Sequence, residues 1–222
     1  MKSYLERRRA SGRGFTLLEM MVVIMIIGIL STALIVQLPE MIDNSKLTAS
    51  EANMKNIFLS LQTYQTNHNG NWPRSQGIKF LLTPWKENMI EHTEAKANMF
   101  FSPAESFSDI MAYQGFDEDM DIVEYLNDWD SIGPGYISYA GFTAGGDRDV
   151  MQQLKRNPGL TTIISDAHFV HRYAMVYLTG DGAPHRMLAS DIEEETGIDP
   201  LVDDLIPGPG CEMEEFRTVI NE

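Results

Sequence analysis

The chain has 222 residues, a formal net charge of −15 and a single cysteine, Cys211. Its 17 Lys and Arg residues against 32 Asp and Glu residues argue against nucleic acid as a partner, because phosphate binding requires clustered basic side chains. One cysteine excludes an intramolecular disulfide, which is common in secreted proteins of this size. The fold must therefore be held by a hydrophobic core or by another link, such as a metal ion.

The amino-terminal end combines a basic leader, residues 1–14, with an apolar segment, residues 15–38. As a helix the segment would be about 36 Å long, enough to cross the hydrocarbon core of a bilayer. The leader has five basic residues and one acidic residue, a charge of +4, so the remaining chain has a charge of −19. Because Lys and Arg keep their flank in the cytoplasm, we expect a single-pass membrane protein whose acidic C-terminal domain lies outside the cytoplasm.

Glu19 lies just inside this apolar segment. A carboxylate in hydrocarbon costs roughly 2.5–3.5 kcal/mol on insertion scales, so Glu19 needs a partner. Gly14 directly precedes Phe15 at the end of the leader, and cleavage between them would create an α-amino group four residues before Glu19. That separation is about one helical turn, which makes the new amine the expected partner.

The run Gly14-Phe15-Thr16-Leu17-Leu18-Glu19 resembles the processing motif of type IV pilins and type II secretion pseudopilins. The resemblance covers about the first 70 residues. It implies that a prepilin peptidase cleaves after Gly14, that Phe15 becomes the N-methylated first residue, and that Glu19 is needed for assembly. It further implies as partners other pilin or pseudopilin subunits, an inner-membrane assembly platform and, before assembly, membrane lipid.

Two other kinds of amino-terminal segment are open alternatives. A secretory signal peptide would have a small-residue cleavage site after its apolar core, whereas residues 37–41, Gln-Leu-Pro-Glu-Met, contain no Ala-x-Ala pattern. An uncleaved single-span anchor would leave Glu19 without an explanation. Both are therefore weaker interpretations than a processed assembly subunit.

The helix is predicted to continue past the membrane segment, over residues 39–68. Apolar residues recur there at spacings of three to four and predict one buried stripe: Leu47, Met54, Ile57, Phe58, Leu61 and Tyr64. Pro39 should kink or loosen the helix, and Asn69-Gly70 should end it. Gly28, in the middle of the apolar segment, is predicted to allow close approach of a neighbouring helix.

Residues 69–222 form one predicted extracytoplasmic domain. The patterns predict short helices at Gly77–Leu82, Ser106–Tyr113, Met120–Trp129 and Met213–Ile220, and strands at Tyr136–Tyr139 and Thr161–Ile164. Tyr173–Leu178 and His185–Leu188 flank a Gly-Asp-Gly turn and predict a hairpin. We expect an α+β, pilin-like fold in which a long N-terminal helix, half of it transmembrane, packs on an antiparallel sheet of about four strands.

A second resemblance concerns the C-terminal domain. His171 is followed by nine residues and then by Asp181-Gly182, which is similar to a signature of pseudopilin-like proteins from planctomycetes, verrucomicrobia and their relatives. The pairs Ser138-Tyr139 and Ser165-Asp166 also resemble strand segments of that group. The chain departs from the group where Ala183-Pro184 precedes His185 and where Ser102-Pro103 replaces a Cys-Pro pair.

The role of His171 and Asp181 is left open between three interpretations. The first is a polar contact between strands, with Asp181-Gly182 forming the hairpin turn. The second is a zinc site formed by His168, His171, Asp181 and His185. The third is a calcium site formed by Asp181 and a C-terminal carboxylate such as Asp191, suggested partly by analogy with calcium-bound pseudopilins.

The sequence thus predicts a structural filament subunit and not an enzyme, since it has no phosphate-binding loop, nucleophile elbow or cysteine pair. The filament is either a type II secretion pseudopilus or a type IV pilus-like fibre. The competing hypothesis is a membrane-anchored extracytoplasmic binding module, or a metal-dependent enzyme that uses His171 and Asp181.

Overall fold

The computed structural model describes residues 15–117, 120–143, 148–203 and 205–222. It divides into two compact units with a boundary between Ile42 and Asp43. The leader, including Gly14, lies outside the described residues.

The first helix, α1, spans Leu17–Asn67 and contributes residues to both units. In the first unit its apolar side chains are exposed: Leu17, for example, is 78% and Ile24 66% exposed. Pro39 lies inside the helix and does not end it. Among the described residues no single helix has the length and apolarity to cross a membrane, although the bent pair Leu17–Thr32 and Gln37–Asn67 passes that test by length and composition.

The second part of α1 provides one side of the core of the C-terminal unit. All six residues of the predicted stripe, from Leu47 to Tyr64, are buried, which confirms the stripe. The helix ends as predicted, with Asn69 and Gly70 in left-handed conformations and the Gly70 amide donating to the carbonyl of Gln65. The apolar face therefore follows from the 3.6-residue period, and the end follows from the Asn-Gly pair.

The remaining helices are short. They are α2 (Ile78–Lys86), α3 (Glu94–Ala97), α4 (Phe107–Gln114), α5 (Ile122–Asn127), α6 (Arg148–Arg156) and α7 (Ala189–Thr196). Three of them, α2, α4 and α5, fall within or close to the predicted helical stretches. The predicted helix Met213–Ile220 is wrong: a single 3-10 turn, Glu214–Phe216, is followed by a strand.

The sheet has five strands in the order β4-β3-β2-β1-β5, and every neighbouring pair is antiparallel. The strands are β1 (Tyr139–Phe142), β2 (Thr162–Asp166), β3 (Ala174–Thr179), β4 (Pro184–Leu188) and β5 (Val219–Ile220). The β3–β4 hairpin and the α+β, pilin-like fold class are confirmed. The fifth strand, at the edge beside β1, was not predicted.

The first predicted strand is displaced by three residues, because β1 begins at Tyr139 and not at Tyr136. The ring of Tyr136 stacks on that of Tyr125 at 4.1 Å, and the Tyr125 hydroxyl donates to the carbonyl of Tyr136. These contacts hold Tyr136 in an irregular segment. The alternation of apolar and polar residues over Tyr136–Tyr139 therefore resembled a strand, but all four residues are buried and only Tyr139 belongs to β1.

Candidate assembly site and the buried polar cluster

Glu19 forms a reciprocal cap at the beginning of α1. Its Oε2 atom accepts hydrogen bonds from the backbone N–H of Thr16 at 2.8 Å and from the Thr16 hydroxyl at 2.9 Å. The Thr16 hydroxyl oxygen in turn accepts from the backbone N–H of Glu19 at 3.2 Å. This is the capping box that a Thr-x-x-Glu spacing allows, and it satisfies two backbone donors that a helix start leaves unpaired.

The side chains around this cap are exposed as far as the structure describes the chain. Phe15 is 80% exposed, and a Cβ placed on Gly28 would meet no atom within 4 Å. The Thr32 hydroxyl donates to the Gly28 carbonyl, a bond within the same helix. Phe15 thus precedes, and Glu19 and Gly28 lie in, a helix segment whose large apolar side chains are exposed in the part of the chain that the structure describes.

The signature residues His171 and Asp181 lie at opposite ends of β3 and do not contact each other, whereas the turn predicted at Asp181-Gly182 is present. His171 precedes β3 and Asp181 follows it, so six extended residues, about 20 Å of strand, separate them. The zinc site is contradicted for the same reason. His168 lies 2.9 Å from Glu105, His171 lies at the opposite end of β3 from Asp181, and His185 contacts Thr179.

Asp181 and Gly182 build the β3–β4 turn. The Oδ1 atom of Asp181 accepts from the Thr179 hydroxyl at 2.7 Å and from the Ala183 amide at 3.1 Å, and these bonds lower the pKa of Asp181. Gly182 has φ +83°, and a Cβ there would lie 2.5 Å from Cε1 of Phe58 on α1. The pair thus forms a tight turn pressed against the long helix.

The two predicted calcium ligands, Asp181 and Asp191, also lie apart from each other. Asp181 precedes β4 and Asp191 lies in α7 beyond it, so the five residues of β4, about 16 Å of extended chain, lie between them. In the part of the chain that the structure describes, no group of three or more His, Cys, Asp or Glu side chains is arranged to hold a metal. A calcium ion bound by Asp181 would therefore need ligands other than Asp191.

His171 instead belongs to a buried polar cluster that links the sheet to α1. Its Nε2 atom lies 3.1 Å from the Ser50 hydroxyl and 4.0 Å from Oδ2 of Asp166. The Ser50 hydroxyl is also 3.2 Å from that of Ser102, and Oδ2 of Asp166 accepts from the Val176 amide at 2.6 Å. Ser50, Ser102, Asp166, His171 and Val176 are each at most 1% exposed, so the cluster is closed to solvent.

Burial sets the charge of this cluster. Desolvation raises the pKa of Asp166 well above its usual value and lowers the pKa of His171. Both directions favour the neutral form, because moving a charge out of water is costly. Ser50, His171 and Asp166 have the composition of a catalytic triad, yet both partners approach the same ring nitrogen and Ser50 is fully buried. The arrangement suits an internal structural link and does not suit nucleophilic catalysis.

Several segments of the second resemblance converge on this cluster. Ser102, which stands where the resembled group often has a cysteine, bonds Ser50, while Asp166 and His171 lie beside each other. No motif or spacing in the sequence predicted that Ser50 belongs to this cluster. A buried serine on the apolar stripe of a helix could have been suspected only from its place among Leu47, Met54 and Ile57.

Comparison with known proteins agrees with the amino-terminal geometry. Residues 9–35 match the family described as the prokaryotic N-terminal methylation motif. A stretch of 78 residues is 33% identical to type II secretion system core protein G of Pseudomonas aeruginosa, and it covers 35% of this chain and 54% of that protein. The chain thus spans about half the length of this relative, and no solved structure matches it.

Each of these similarities covers at most 35% of the chain. They say nothing about the His171 signature, so membership of the planctomycete-type subgroup stays a prediction. The chain thus matches the prokaryotic N-terminal methylation motif at residues 9–35 and is similar, over part of its length, to a type II secretion system core protein.

Proposed function

We propose that this chain is a pseudopilin-like filament subunit whose assembly depends on the pairing of Glu19 with a freed amino terminus. A prepilin peptidase cleaves between Gly14 and Phe15 and methylates Phe15. Before assembly the apolar segment 15–38 is held in the inner membrane, with the leader in the cytoplasm and the C-terminal domain in the periplasm. An inner-membrane platform then transfers the subunit into a periplasmic or surface filament.

The observation that carries this proposal is the geometry of the Glu19 cap. Both hydrogen bonds from Thr16 go to Oε2, and Oε1 has no hydrogen-bond partner among the described residues. One carboxylate can therefore hold its own helix start and still accept the amine of Phe15 from a neighbouring subunit. Such a pair offsets the cost of burying both charges, whereas either charge alone in an apolar bundle is strongly disfavoured.

Burial of the exposed apolar segment provides the driving force for a helical bundle. At about 25 cal/mol per Å², a few hundred Å² buried against each neighbour gives several kcal/mol. Gly28 supports close approach, because among the described residues no atom lies within 4 Å of a Cβ placed there. Pro39 follows this segment and allows the helix to bend as the subunit leaves the bilayer.

The proposal is tested in cells that contain the assembly machinery. We expect mass spectrometry of the membrane protein to show Phe15 as the methylated first residue, and Glu19→Leu to abolish recovery of sheared filaments while leaving cleavage intact. Glu40→Leu is the matched control, because Glu40 is an exposed carboxylate on the same helix beyond the apolar segment. An uncleaved Met1 terminus in mature material, or normal filaments from Glu19→Leu, would refute it.

A further inference from the structure

The C-terminal unit has a groove with a basic rim, in a chain of strongly negative charge. The groove has a volume of about 620 Å³ and lies between the end of α1, the loop that follows it, and α6. We call it the basic groove and define it by Asn67, His68, Asn69, Trp72, Arg74 and Lys155.

Two cations of the basic groove have no ion-pair partner in the part of the chain that the structure describes. Arg74 and Lys155 are exposed, and among the described residues neither forms an ion pair. His68 differs, because its Nε2 atom lies 3.3 Å from Glu87. The side-chain amides of Asn67 and Asn69 likewise make no hydrogen bond within the described part of the chain. The groove thus offers two positive charges and two amide donors, which is the chemistry that binds carboxylates.

A complementary surface lies on α7. This helix carries four exposed carboxylates, Asp191, Glu193, Glu194 and Glu195, and is anchored by the buried side chain of Ile192. Three of the carboxylates lie toward the C-terminal end, where the helix dipole is negative, and no basic residue lies in the last turn. Within the described residues none of the four forms an ion pair. The helix therefore bears a local electrostatic cost that a cation from another molecule would relieve.

We propose that, in the filament proposed above, the basic groove of one subunit binds the carboxylates of α7 of the next subunit. The partner is a second copy of this chain, because one chain carries both surfaces and pairs neither of them with an opposite charge among its described residues. The contact joins two different patches, so it repeats without closing and extends a filament. Paired charges of this kind select the register of neighbouring domains more than they add affinity.

The first experiment reverses charges in the full-length protein in cells that assemble the filament. We expect Arg74→Glu with Lys155→Glu to lower the yield of sheared filaments roughly tenfold, the combined effect of two or three exposed ion pairs. Glu193→Lys with Glu194→Lys should do the same, and all four changes together should restore the yield. Lys55→Glu with Lys96→Glu is the charge-matched control, since both lysines are exposed and lie outside the basic groove.

The second experiment detects the contact directly and does not depend on the yield of the reversed variants. The lone native thiol is removed by Cys211→Ala, and Lys155→Cys and Glu194→Cys are placed on two differently tagged copies. A short bis-maleimide should link 155 of one copy to 194 of the other in filaments. Lys55→Cys in place of Lys155→Cys should give no such link.

The outcomes separate this contact from the function on which it rests. Suppose that wild-type filaments form and Glu19→Leu abolishes them, but both charge reversals behave like the lysine control and no 155–194 link appears. That result refutes the contact between the basic groove and α7 and leaves the proposed function intact. A loss of yield that the four changes do not restore would indicate another acidic partner and would equally refute it. Normal filaments from Glu19→Leu would instead refute the function.

Discussion

The imidazole of His171 and the hydroxyl of Ser50 lie 3.1 Å apart inside the C-terminal unit, and this bond joins the sheet to the long helix. His171 lies just before β3, whereas Ser50 faces inward from α1. Ser102 extends the link to the loop that precedes α4. One fully buried hydroxyl thus connects three segments that are distant in the sequence.

Ser50→Ala should therefore destabilise the protein by about 1–3 kcal/mol, because it leaves a buried imidazole without its partner. Ser60→Ala is the matched control. Ser60 lies on the same helix, and its hydroxyl donates only to the Ile57 carbonyl of that helix, so we expect a change within about 0.5 kcal/mol. Urea unfolding of the detergent-solubilised full chain measures both variants. Equal losses would show that the bond to His171 contributes nothing.

The two titratable groups of the cluster should give opposite pH dependences. The pKa of His171 is lowered by burial, so the unfolded state binds more protons as the pH falls below about 6.5, and stability is lost in that direction. The pKa of Asp166 is raised by burial, so the unfolded state releases its proton first and stability is lost as the pH rises above about 4.

Asp166→Asn isolates the second of these effects. An asparagine oxygen can still accept a hydrogen bond from the Val176 amide. Asparagine does not ionise, so the substitution removes the cost of burying a group that would be charged in the unfolded state. We expect the variant to be more stable than the wild type at pH 8 and to lose the decline on the alkaline side, while the decline below about pH 6.5 remains because it comes from His171. Thermal unfolding across pH 5–9 measures this, and an unchanged alkaline slope would contradict it.

The features of the amino-terminal part could be predicted from sequence, because they are local patterns: the Gly-Phe-Thr-Leu-Leu-Glu run, the apolar segment and the stripe from Leu47 to Tyr64. The capping box is local too, since Thr16 and Glu19 are one turn apart. The hairpin was equally clear from its Asp-Gly turn.

What the sequence could not provide are contacts between distant segments. Ser50 and His171 are 121 positions apart, and no spacing rule connects them. The error at residues 213–220 has a different cause. Met213 and Phe216 are both buried and are spaced like a helix face, but the β-branched pair Val219-Ile220 instead extends the sheet beside Phe142 and Gly141. Tertiary pairing overrode the local period there.

Gly141→Ala should destabilise the sheet strongly. A Cβ at 141 would lie 2.0 Å from the Gly77 carbonyl oxygen and 2.9 Å from Cγ of Leu81, at the point where α2 begins against β1. The Gly77 amide donates to the Phe142 carbonyl at 3.0 Å. The backbone at Gly77 therefore cannot move away from β1 without breaking that hydrogen bond. We expect a loss of about 3 kcal/mol by urea unfolding. Gly133→Ala, where a Cβ meets no atom within 4 Å, should change stability by less than about 1 kcal/mol.

Gly182→Ala tests whether the β3–β4 turn is held by backbone conformation alone or also by its contact with α1. An alanine at φ +83° carries a strain of about 1–2 kcal/mol, and its Cβ would also lie 2.5 Å from the ring of Phe58, which is only 6% exposed. Gly197→Ala provides the strain without the contact, since Gly197 has φ +74° and no atom within 4 Å of a Cβ. We therefore expect Gly182→Ala to lose about 2–4 kcal/mol and Gly197→Ala about 1–2 kcal/mol in thermal or urea unfolding. If Phe58→Ala reduces the difference between the two variants, the excess arises from the ring. If the two glycine variants lose the same free energy of unfolding, the loss comes from backbone strain in the turn. The close approach to Phe58 then contributes nothing to stability.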